Sequence, residues 1–276
     1  MTIAKQYRKL QKVVTGNKTT DGDGVQLTRV IGSSSLMMLD PFLLLDAFGT
    51  DKPKDYIGGF PPHPHRGFET VTYLLEGRMR HKDSAGNEGV IEPGGVQWMT
   101  AGSGIVHSEM PEQQRGLLYG FQLWVNLPAR AKMTEPAYQE FTAAQIPVEQ
   151  LDNGGQVRVI AGQTNQGSIG PVINDFVSPL YIDVSLPAGQ VFEQTLALAD
   201  NAFVYVIEGE LGFSESLGEG QLGVLSEGDT IQVKAQQDSR FLLVAATPLN
   251  EPVVRGGPFV MNTKQELQQA FADFGR

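Results

Sequence analysis

Cysteine is absent from this chain of 276 residues, which excludes disulfides, thiolate zinc sites and cysteine nucleophiles. No apolar run is long enough to span a bilayer. The segment Met1-Thr2-Ile3-Ala4-Lys5-Gln6-Tyr7-Arg8-Lys9 lacks the apolar stretch of a signal peptide. A cytoplasmic protein without membrane association is therefore expected. Positive charge is scarce: 21 Lys and Arg stand against 31 Asp and Glu, a net charge of −10. Nucleic-acid binders draw much of their affinity from phosphate neutralisation by basic stripes. The densest basic stretch here, Lys5, Arg8, Lys9 and Lys12, lies before the globular pattern begins and reads as a solvated face. Direct nucleic-acid binding is not expected.

What is abundant is turn chemistry. The 32 glycines and 16 prolines are spread between short apolar runs. Such runs include 70–75 (TVTYLL), 120–125 (GFQLWV), 179–184 (PLYIDV) and 203–207 (FVYVI). Turn signals at this spacing predict an all-β fold, a sandwich or small barrel. The one clear helical pattern is at the end. Thr263 and Glu266 make a capping box, and Leu267, Ala270, Phe271 and Phe274 form one apolar stripe. That helix is expected to pack on the outside of a sheet.

Histidine is rare, with only four in the chain, yet three fall into two short clusters, His63-Pro64-His65 and His107-Ser108-Glu109. In a strand, residues i and i+2 share a face, so each cluster is a pair of potential ligands. A lone strand histidine is usually just a satisfied polar residue. Three of four in this pattern, with a paired glutamate, point instead to a metal site of three nitrogens and one carboxylate. That set suits a redox or oxygen-handling metal more than a structural zinc. Fe(II) fits best, with Mn, Co, Ni, Cu or Zn as substitutes. Glu69 and Glu109 compete for the carboxylate position. His81 stands alone after the Glu76-Gly77 turn and is expected at the surface or rim. Gly67 is expected to serve a close strand approach, and Arg66 an ordinary ion pair. Phe68, Trp98, Met99 and Trp124 read as core or as apolar walls of a pocket. In 120–127, Gln122, Trp124 and Asn126 alternate with an apolar set and would line the metal pocket or face solvent.

An internal repeat divides the chain. Tyr73-Leu74-Leu75-Glu76-Gly77 matches Tyr205-Val206-Ile207-Glu208-Gly209, a shift of 132 residues. The segment Val90–Trp98 matches Val224–Val233 at a shift of 134. One β-barrel unit is used twice. Shifted likewise, His63, His65 and Glu69 land on Thr195, Ala197 and Asn201, and His107 and Glu109 on Phe241 and Leu243. A single metal per chain, in the first barrel only, is the expectation. The expected domains are a metal-binding barrel over 1–135, a linker over 136–152, a barrel without ligands over 153–260, and a helix over 261–276 that packs back on the first barrel. A monomer is expected.

Several segments carry a resemblance to a known family. The pattern His63-x-His65-x3-Glu69-x7-Gly77 resembles the first motif of cupins. More specifically, 63–77 (HPHRGFETVTYLLEG), 97–110 (QWMTAGSGIVHSEM), 123–127 (LWVNL), 39–43 (LDPFL) and 257–263 (GPFVMNT) resemble the pirin family. The resemblance implies a bicupin, two jelly-roll barrels in one chain. It implies His63, His65, His107 and Glu109 as metal ligands, leaving Glu69 as a supporting acid. It also implies a flavonol dioxygenase like quercetin 2,3-dioxygenase, with a flavonol and O2 as substrates and carbon monoxide released. Glu109 would act in turn as ligand and proton acceptor. The alternative implied by the family is a regulator, responsive to its metal, that binds a transcription factor or a metabolic enzyme.

Overall fold

A computed structural model describes residues 5–275. The chain is mostly β-strand and sorts into two compact units. The first is Asn17–Ala143 with the segment from Leu249 onward; the second is Ala144–Pro248 with the segment that ends at Gly16. Each contains a seven-stranded and a four-stranded antiparallel sheet, open at their edges rather than closed as a barrel. In the second unit Ile182, Val204 and Leu243 of the larger sheet meet Phe192, Ile231 and Val233 of the smaller in one core. In the first unit Leu27, Phe48 and Leu74 meet Met79 and Ile91.

The larger sheet of the first unit runs Ala137–Phe141, Val96–Thr100, Phe68–Glu76, Leu118–Asn126, Phe42–Thr50, Val25–Ile31, Asn17–Asp21. In the second unit Gln221–Leu225, Asn201–Glu208 and Ser239–Ala246 repeat its central order. The strand beside Gln221–Leu225 is Leu10–Thr15, from the start of the chain. The first strand therefore belongs with the second unit, not with a 1–135 barrel. The stretch 136–152 is not a bare linker either. It supplies Ala137–Phe141, which pairs with Val96–Thr100, and Val148–Gln150, which pairs with Gln156–Ala161.

The strand topology also corrects the repeat. The Glu76 and Glu208 turns end equivalent strands. The second match joins non-equivalent turns: Glu92–Gly95 precedes Val96–Thr100, whereas Ser226–Asp229 follows Gln221–Leu225. The counterpart of the His107 strand is thus Thr230–Ala235, one strand earlier than a constant shift places it. A short hairpin, Glu210–Gly212 with Ser216–Gly218, replaces the longer pair Met79–Asp83 and Glu88–Ile91 and absorbs the difference.

The C-terminal helix, Lys264–Asp273, opens on the expected capping box, with the Thr263 hydroxyl accepting from Glu266 N and Glu266 accepting from Thr263 N. Ala270 is fully buried, and Phe271 and Phe274 pack on Phe259. Arg66 reaches the helix, pairing with Asp273 at 2.7 Å and lying over the Phe274 ring. Gly67 follows at φ +87°, where an added Cβ would stand 2.0 Å from the Val260 carbonyl oxygen. Gly67→Ala is therefore expected to cost about 3 kcal/mol through strain and overlap, read as a lowered midpoint in denaturant unfolding. An unchanged midpoint would show that the 258–260 segment can move aside.

Candidate metal centre

The smaller sheet of the first unit builds the site. Its strands run Phe60–His65, Ile105–Pro111, Met79–Asp83, Glu88–Ile91. His63 lies opposite His107, and His65 opposite Ile105. Directly paired residues of an antiparallel ladder share a face, so the i, i+2 pairs of both strands point inward together. A bulge after His107 sets Glu109 against Phe60, a common device for re-aiming side chains at a site.

Three imidazoles converge there. His63 Nε2 lies 3.0 Å from His65 Nε2 and 3.0 Å from His107 Nε2. The nitrogens of all three lie within 4.8 Å of one another, the one such group of three or more His, Cys, Asp or Glu among the described residues. The other ring nitrogens explain the orientation. His63 Nδ1 donates to the Pro61 carbonyl at 2.8 Å, and His65 Nδ1 to that of Pro258 at 3.3 Å. A carbonyl only accepts, so the proton of each ring sits on Nδ1 and the Nε2 lone pair faces its neighbour. Burial, aided by His63, holds His65 well below its ordinary pKa. Burial and the neighbouring imidazoles do the same to His107. Neutral rings with lone pairs 3.0 Å apart repel unless a cation lies between them. With metal–nitrogen bonds of about 2.1 Å, two ligands at right angles stand ~3.0 Å apart and two tetrahedral ones ~3.4 Å. The His63–His65 and His63–His107 spacings are those of imidazoles that would hold one metal ion between them.

Glu109 is outside this nitrogen set. It is 4% exposed, lines the same cavity, and its Oε1 accepts from the Thr72 hydroxyl at 2.6 Å. The cavity measures about 590 Å³ and is walled by Phe60, Leu44, Phe48, Trp124 and Gln122 on the way to His63 and His65. Arg29 also lines it but is held by Asp46 and Asp21. Arg255 lies over the Trp124 ring.

Strand register sorts the other expected residues. Thr72 turns inward to Glu109, so Thr70, Gln122 and Trp124 on the same face also turn inward. Phe68 is fully buried behind His65 and Trp124, at 4.9 and 4.3 Å between ring centroids. Met99 faces inward opposite Thr70 but packs with Ala101 and Ile105 and does not line the cavity. Trp98 lies opposite Val71, and Glu69 opposite Thr100, on the other face of the sheet, where Glu69 accepts from the Thr100 hydroxyl. Neither lines the cavity. Asn126 is buried and accepts from Lys132 rather than facing solvent.

His81 is not a surface or rim residue. It is fully buried, with Nδ1 3.5 Å from His107 Nδ1 and Nε2 3.1 Å from Asp83 Oδ2. His81-Lys82-Asp83 carries the same i, i+2 signal as the two clusters, and that signal could have found it. Thr72 was missed too, although it follows Phe68 and Thr70 at steps of two.

Comparison with known proteins agrees with this architecture. The Pirin family model matches residues 24–125, and the Pirin C-terminal cupin domain model matches 181–276. The chain is 56% identical to a pirin-like protein of Caulobacter vibrioides, over 98% of each chain. It is 42% identical to human pirin, covering 97% of this chain and 92% of that one. A solved structure described as quercetin 2,3-dioxygenase from Acinetobacter baumannii superposes with a TM-score of 0.90 at 36% identity, over 98% of this chain and 97% of that one. With two cupin domains and matches to both the Pirin and the Pirin C-terminal cupin domain models, this chain is a member of the pirin family.

Proposed function

We propose that the chain is a metal-dependent dioxygenase that opens flavonols of the quercetin type with O2. Its site would be one divalent metal, Fe(II) in the first place, held by His63, His65, His107 and Glu109. The observation that carries this reading is the cavity of about 590 Å³ that reaches both the histidines and Glu109. Its size is within the range that encloses small-molecule ligands, a three-ring enol among them. The name of the Acinetobacter baumannii protein supports the same substrate class. A metal bound there would supply Lewis acidity toward the enol oxygen and the electrons for O2 chemistry.

The residues of the chain do the rest. Glu109, metal ligand and proton acceptor in turn, takes the 3-hydroxyl proton, and the Thr72 hydroxyl donates to its Oε1 and steadies it. Trp124 and Phe60 line the cavity that would receive the flavonol, and Leu44 and Phe48 keep its surroundings apolar. Glu109→Gln is expected to lower turnover by about 10²–10⁴-fold, the usual weight of a positioned base, in a protein that remains folded. The check is oxygen uptake with quercetin, together with loss of its absorbance, after stripping and anaerobic reloading with Fe(II). Wild-type protein carrying one Fe(II) per chain and consuming neither flavonol nor oxygen would sink this reading and turn the search to a regulatory protein partner.

A further inference from the structure

Two buried side chains beside the histidine cluster have no part in the reaction proposed above. The strand Met79–Asp83 pairs with the His107 strand so that Asp83 lies opposite His107 and His81 opposite Glu109. Both therefore face inward, at 7% and 0% exposure. The Asp83 carboxylate is fixed from several sides. It accepts from the backbone N–H groups of Ala85 and Asn87 at 2.9 and 3.0 Å, and from Asn87 Nδ2 at 2.9 Å. Its Oδ2 also meets His81 Nε2 at 3.1 Å.

Proton positions follow from the donor and acceptor inventory. A carboxylate only accepts, so the His81 proton sits on Nε2, and a neutral imidazole protonated there has a bare Nδ1. That bare nitrogen faces His107 Nδ1 at 3.5 Å. His107 then carries its own proton on Nδ1 and turns an unprotonated Nε2 toward His63. His63 and His65 receive the same instruction from the carbonyls of Pro61 and Pro258. His107 has a second histidine as its neighbour, which could equally donate, and only Asp83 settles the direction.

We propose that Asp83 and His81 form a relay that selects the metal-ready tautomer of His107. They are positioning residues, acting through His107 and not on substrate. The inference rests on the three-histidine metal reading for its consequence, but its core is a statement about protons in the protein alone. Partners of this kind behind a histidine ligand typically carry a 10–100-fold effect on metal affinity.

The experiment is a Co(II) titration of the stripped full chain with the visible spectrum as readout, run on wild type, His81→Leu and His81→Gln. Leucine fills the space beside Tyr138, whose ring lies 5.0 Å from that of His81, but accepts nothing; glutamine can accept from His107 Nδ1. The dissociation constant is expected to rise about 10–100-fold in His81→Leu and to return to within a few-fold of wild type in His81→Gln. Equal affinity in all three would overturn the relay. Should His81→Leu fail to fold, long-range ¹H–¹⁵N spectra of metal-free wild type decide the matter. The expected tautomers are Nε2–H for His81 and Nδ1–H for His107, and the reverse for His107 overturns the proposal. Wild type that takes up no Co(II) at all would overturn the metal reading, while the same metal-free spectra still decide the relay.

Discussion

Replacing His107 by alanine is expected to abolish stoichiometric metal binding, with a loss of affinity beyond the ~10–100-fold typical of outer partners. His107 Nε2 is one of three lone pairs at the centre of the cluster, and the two histidines left behind share a single strand. The stability effect should depend on the metal. In stripped protein His63 Nε2 stands 3.0 Å from Nε2 of both His65 and His107 and is repelled by each, so removing the His107 ring relieves repulsion and offsets part of the cavity cost. With metal at one hundred times its Kd, wild type gains about 2.7 kcal/mol by mass action, and the variant gains nothing. Thermal unfolding with and without excess Co(II) measures both. A variant that keeps one metal per chain and the full metal-induced shift would show that the ligands lie elsewhere.

The convergence of His63, His65 and His107 was legible in the sequence because strand geometry is local: two residues apart means one face. The all-β pattern and the helix cap were legible for the same reason, since turns and caps are decided by a few neighbours. What was not legible depends on pairing between distant strands. Whether Glu69 or Glu109 faces the histidines is a question of parity, and Thr72 decides it by turning inward and sending Val71, Trp98 and Glu69 to the other face. His81 looked isolated because its burial comes from the strand Ile105–Pro111 laid along it. The path of the first strand was hidden too. Its sequence, LQKVVT, suits any sheet edge, and only the exposed flank of Gln221–Leu225 claims it. The repeat misled where it was extended past a hairpin of different length, since a constant shift assumes equal connections.

The other large effect is expected at Lys132, which is 2% exposed. Its ammonium donates to the Gly67 carbonyl at 2.8 Å, to Asn126 Oδ1 at 2.7 Å and to the Val260 carbonyl at 3.0 Å. It joins the turn that follows His65, the end of the Trp124 strand and the C-terminal segment. Lys132→Met keeps the bulk of the stem and deletes all three bonds. The expected loss is about 3–5 kcal/mol, since each buried acceptor left bare costs ~1–3 kcal/mol and relief of a buried charge returns part of it. For a unit of this size that is a drop in Tm of roughly 10 °C. The dependence on pH has a definite sign. Burial, opposed by Glu251 and Glu266, lowers Lys132 from 10.5 to about 8. Between those values the unfolded chain holds a proton that the folded one has released. The contribution of Lys132 to stability therefore rises with pH across that window, by up to about 1.4 kcal/mol per pH unit. Denaturant midpoints of wild type and Lys132→Met compared from pH 7.5 to 10 test this; an advantage of wild type that shrinks over the window would mean that the three acceptors hold the ammonium more strongly than burial penalises it. The same variant should also weaken Co(II) binding, because Val260 is two residues from Pro258, whose carbonyl sets the His65 ring. Fold stability and metal affinity would then fall together, through one buried cation that no motif marks.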